Sequence, residues 1–90
     1  MPYTIMCFDK ENKLNVRKIN RDEHLKYLKS FRKKILLAGP ILDKNNLPSG
    51  SIIILELDTR QEIEKFIKGD PYYKAGLFRE TKILNFKKVF

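Results

Sequence analysis

A chain of 90 residues is one small domain, with room for a single core and little surplus stability. At 42% apolar and 33% charged it has the composition of a soluble globular protein, and its longest apolar runs, Ile35–Ala38 and Ile52–Leu55, are far too short to span a bilayer. The formal charge of +8 raises the question of nucleic acid, but the cations interleave with Glu11, Asp22, Glu23, Glu62, Glu64 and Glu80 and form no stripe, so a solvated basic surface is expected and nucleic acid is not.

Residues 2–8 read as a strand apolar on both faces, hence central in its sheet. Its lone cysteine, Cys7, has no partner for an internal disulfide and is expected to be a buried, reduced thiol. With no signal-peptide layout at the N-terminus, a cytoplasmic location is expected. Asp9 to Ile19 reads as a polar loop. Asn20 then opens a helix as N-cap, with Glu23 completing a capping box, and the helix runs to Lys33 or Lys34.

Ile35–Leu42 is the second strand. Pro40 removes a ladder donor from it, which predicts an edge position or a bulge. Asp43–Gly50 is a turn region, and Ser51–Leu57 is a third strand apolar on both faces. Thr59 and Glu62 form a second capping box, and Ile63, Phe66 and Ile67 give the helix that follows its apolar side. Gly69 stops that helix as a C′ residue, and Asp70-Pro71 forbids its continuation. Pro71–Gly76 is a single helical turn, and Leu77–Phe90 is a last extended stretch, bent or broken near Asn85.

The order β-α-β-β-α-β predicts an α+β fold, the ferredoxin-like split βαβ, with an antiparallel sheet and two helices on one face. Residues 1–90 form one domain without repeats or linkers. Two central strands apolar on both faces leave one sheet face to be covered. A homodimer is expected, its sheets stacked face to face and Phe86–Phe90 reaching across.

His24, the only histidine, occupies a position where the helical pattern calls for a leucine. At about 100° per residue, Leu28, Phe31 and Ile35 fall within about 40° of it, so the imidazole faces the core. There it either satisfies a backbone carbonyl or acts as a general base oriented by a carboxylate. Asp70, held by its proline, is one such carboxylate. Read blandly, it caps the turn that Pro71 begins. Asp9, at the end of the first strand, is the alternative partner for His24. Tyr72 offers a hydroxyl or an aromatic wall. Arg21, one turn before His24 and about 60° away, is placed to bind a carboxylate or phosphate. Asp9 and Arg17 flank the first loop, where either is placed to line the same mouth and a solvated role is the default. No metal-ligand spacing, P-loop or dinucleotide fingerprint occurs, so neither metal nor cofactor is expected.

In order along the chain, Arg21-x-x-His24-Leu25-x-x-Leu28, Ala38-Gly39-Pro40, Asp70-Pro71-Tyr72, Ala75-Gly76 and Phe86-Lys87-Lys88-Val89-Phe90 resemble the YciI-like (YCII-related) family. The resemblance implies a ferredoxin-like dimeric α+β barrel with a site centred on His24 and Asp70. A few relatives are similar to enzymes that remove chloride from chlorinated hydroxyquinones, which implies proton transfer leading to elimination as one reaction. The short, Asn-rich loop between the second and third strands departs from the family pattern and bears on substrate size.

The expectation is a small enzyme in which His24 is the acid/base and Asp70 its orienting carboxylate. Arg21, Tyr72 and Asp9 would contact a small anionic or phenolic substrate, for elimination or hydrolysis. The alternatives are a non-catalytic dimer that binds a metabolite or a partner, and an RNA-binding module, which needs exposed aromatics on the open sheet face.

Overall fold

The computed structural model describes residues 2–90. β1 (Pro2–Asp9) and β3 (Pro48–Glu56) pair antiparallel at the centre of a four-stranded sheet, with β2 (Ile35–Leu42) and β4 (Phe78–Asn85) at its edges. The order β2-β3-β1-β4, with α2 (Arg21–Ser30) and α3 (Arg60–Gly69) in the two crossovers, is the ferredoxin-like α+β arrangement. β2 is an edge strand, as Pro40 requires, and its register with β3 also shifts at both ends. Among the described residues, no helix is long and apolar enough to cross a membrane.

Alternation divides the central strands between two faces. Ile5 sits opposite Ile53 and Ile83. Ile5, Cys7, Ile53 and Leu55 join Ile63, Phe66 and Ile67 of α3 in one buried core. Thr4, Met6, Phe8, Ile52 and Ile54 point the other way, where no helix lies.

Local chemistry explains most boundaries. The Thr59 hydroxyl accepts from the backbone N–H of Glu62 at 3.2 Å, capping α3. Asp70 caps α4 (Pro71–Lys74) by accepting from the N–H of Tyr72 at 2.9 Å. Asp43 closes the β2–β3 turn by accepting from the N–H groups of Asn45 and Leu47, and Asn46 takes the left-handed conformation at φ 62°. The turn is shorter than expected as a result, and β3 begins at Pro48.

Four local expectations are corrected. Residues 14–19 are not loop but a short helix, α1 (Leu14–Ile19). Six residues cannot hold a helix alone, so the tertiary ties of Arg17 described below decide it. Asn20 therefore follows a helix directly and sits at φ −98°, ψ 4° rather than in the extended conformation of an N-cap. Its amide donates back to Val16 at 2.9 Å, and Glu23 pairs with Lys26 instead of closing a capping box. α2 ends at Ser30, because Phe31 and Arg32 bond back three residues and tighten the chain into β2. Gly69 is not a left-handed C′ residue but the last residue of α3. A side chain there would collide with the hydroxyl of Tyr27, which donates to the Phe66 carbonyl at 2.8 Å and ties α2 to α3.

Candidate active site

His24 lies on the inner face of α2 and is 7% exposed. Its Nδ1 is 2.9 and 3.0 Å from the two carboxylate oxygens of Asp70, which is 3% exposed. Helix geometry explains the meeting of residues 46 apart in sequence. α3 stops at Gly69, Pro71 begins a new turn, and the capping duty of Asp70 turns its carboxylate back toward α2. Asp70 accepts from the Tyr72 N–H, and a carboxylate in that position accepts from an Nδ1–H as well. Nε2 lies on the side of the ring away from Asp70. It has no partner among the described residues and is not sealed from solvent.

Tyr72 stacks on the imidazole with ring centroids 3.9 Å apart and planes inclined by 13°. The guanidinium of Arg17 covers the same tyrosine at 4.7 Å from its ring centroid. Arg17 is 6% exposed. Its Nε and Nη2 donate to the two Asp9 oxygens at 2.7 and 2.9 Å, and Nη2 donates also to the Ser51 hydroxyl at 3.1 Å. Burial opposes the charge on Arg17, but the Asp9 carboxylate outweighs it and holds the guanidinium protonated more firmly than usual. Burial raises the Tyr72 hydroxyl above the ordinary tyrosine range, against the pull of Arg17 and Arg21. Behind the site, burial and then the Asp70 charge push the Cys7 thiol up to about 12, which leaves it protonated and inert at neutral pH.

The imidazole opens on a cavity of about 420 Å³. Leu25, Leu28, Pro40 and Ile53 supply an apolar wall, and Arg17, Lys18, Arg21 and Ser51 supply polar groups. Ala38 and Gly39 line it as well, which explains why that segment keeps company with His24 in the sequence pattern.

His24, Asp70 and Tyr72 thus meet, and Arg21 lines their cavity. Asp9 does not join them: its carboxylate is engaged by Arg17, and Asp70 is the partner of His24. Lys18 and Ser51 escaped the reading of the sequence, and Arg17, read by default as a solvated loop residue, is instead buried in the lining. A signal for Arg17 was present, since residues 17, 21, 24 and 28 follow one helical stripe once the helix is extended back through Asn20.

The YCII-related domain model matches residues 1–87. An uncharacterised protein of Haemophilus influenzae is 34% identical over 99 residues, and protein YciI of Escherichia coli is 32% identical over 98, each alignment covering 100% of both chains. Among solved structures, 5-chloro-2-hydroxyhydroquinone dehydrochlorinase from Burkholderia phenoliruptrix, in complex with 2,5-dihydroxybenzoquinone, superposes with a TM-score of 0.91 at 34% identity, covering 97% of this chain and 94% of that one. A match to the domain model over residues 1–87 and relatives of this identity lead to one conclusion: the chain belongs to the YCII-related domain family.

Proposed function

We propose that this chain is a small-molecule enzyme that moves a proton on a planar ring bearing ionisable hydroxyls, with His24 as general acid/base. The observation that carries the reading is the imidazole itself. Both oxygens of Asp70 hold Nδ1, and Nε2 faces a cavity of about 420 Å³. Asp70 orients the ring and stabilises the imidazolium formed when Nε2 takes a proton. Tyr72 keeps the imidazole plane from rotating, and Arg21 and Tyr72 contact the substrate.

Elimination is the reaction class this arrangement suits, in keeping with the dehydrochlorinase activity of the structural relative. Nε2 takes a proton from a ring hydroxyl and returns it to the carbon that bears the leaving group. A second hydroxyl then loses its proton, its electron pair shifts into the ring, and the leaving group departs with its bonding pair. The ring ends as a quinone, one HX is released, and no external oxidant enters the balance. Incubation with a chlorinated hydroxyhydroquinone, followed by chloride release and quinone absorbance, tests this. Turnover that tracks enzyme concentration is expected. Tight binding of such rings without chloride release would make the chain a binding protein instead.

A second copy of the chain covers the open sheet face in this reading. Leu37 and Leu84 are 53% and 48% exposed, and Val89 and Phe90 project with 78% and 102% exposure. Sedimentation at micromolar concentration is expected to give a dimer, and a strictly monomeric species would remove this part of the proposal.

A further inference from the structure

The charges around the cavity are one-sided. Arg17, Lys18 and Arg21 line it, and no aspartate or glutamate among the described residues does. Arg17 is neutralised by Asp9. The charge of Asp70 lies behind the imidazole, on Nδ1. Lys18 and Arg21 have no ion-pair partner among the described residues, and the nearby Glu23 is occupied by Lys26. Two unpaired cations therefore stand at a cavity whose other wall is Leu25, Leu28, Pro40 and Ile53.

Position gives these cations a specific use. Arg21 precedes His24 by one helical turn, which separates their Cβ atoms by about 5–6 Å. Lys18 and Arg21 line the same cavity as the imidazole, within reach of one small ring. A hydroxyl at Nε2 and an anion at the cations are opposite ends of one small ring, whose face meets the apolar wall.

We infer that the substrate is a hydroxylated ring acid: its hydroxyl addresses His24, and a separate carboxylate is bound by Lys18 and Arg21. The hydroxyl end rests on the acid/base reading above; the carboxylate end does not. A neutral hydroquinone carries no charge for either cation to pair.

Calorimetric titration of the intact protein with 2,5-dihydroxybenzoate and with hydroquinone tests the assignment. The acid is expected to bind about tenfold more tightly at low salt, from one or two charge-assisted hydrogen bonds, with the preference shrinking at high salt. A Lys18→Met/Arg21→Met double variant, which keeps the aliphatic stems, should bring the two Kd values to within about twofold of each other. Equal affinity for the two rings, no binding of the acid at millimolar concentration, or a preference that survives the double variant would each overturn the inference. A His24→Gln protein separates the two ideas. It should keep the preference for the acid even if no ring is ever turned over.

Discussion

Replacing His24 with glutamine is expected to lower kcat by about a hundred- to ten-thousand-fold, the range for losing a positioned acid/base, while the fold persists. Glutamine has similar reach and retains hydrogen-bonding capacity toward Asp70, but it cannot carry a proton at neutral pH. Asp70→Asn dissects the partner. Asparagine caps a helix as well as aspartate does, so α4 keeps its cap bond from the Tyr72 N–H. What is lost is the negative charge that fixes the Nδ1 proton and stabilises the imidazolium. A fall in kcat with little change in KM is therefore expected, together with an unchanged circular dichroism spectrum. Wild-type kcat in the His24→Gln enzyme would end the acid/base assignment.

The largest stability effect is expected at the ion pair beside the site. Asp9→Ala should cost about 3–5 kcal/mol, because it strands the guanidinium of Arg17 without its carboxylate. Both side chains are 7% exposed, so solvent does little to compensate. Against the total stability usual for a domain of this size, about 5–15 kcal/mol, that is a large fraction. The loss should also reach the site, since Arg17 covers Tyr72, and Tyr72 stacks on His24. An Asp9→Leu/Arg17→Met double variant should recover much of the stability, because a buried ion pair exceeds an apolar pair of similar volume by little or nothing. It should not recover activity. Urea unfolding of the three proteins checks the stability series; a loss under about 0.5 kcal/mol in Asp9→Ala would mean that the pair contributes as an exposed one does.

How far the sequence reaches depends on the range of the interaction. Periodicity over one helix was enough to turn His24 inward, because the apolar arc it shares with the partly buried Leu28 and Phe31 is set by their spacing along the chain. The Thr59 cap, the helical turn at Pro71 and the edge position of Pro40 were equally legible, each being set by a backbone donor or a fixed φ within a few residues. Asn20 shows the limit of such rules. A capping residue with its glutamate in place caps nothing when the segment before it is itself helical.

The sequence by itself therefore determined the order of the four strands and the two crossover helices, the two central strands, and an imidazole on the inner face of its helix. Only the tertiary structure decided which carboxylate that imidazole meets. Asp9 and Asp70 were both available by composition, and the choice follows from where the sheet and α4 place each of them. Asp9, on β1, faces Arg17; Asp70, at the cap of α4, faces α2. The same assembly made α1 a helix, since six residues with no cap are held by contacts to a strand rather than by their own turns. Local geometry writes itself into neighbouring residues. A hydrogen-bonded pair 46 residues apart exists only once the sheet and helices have closed around it.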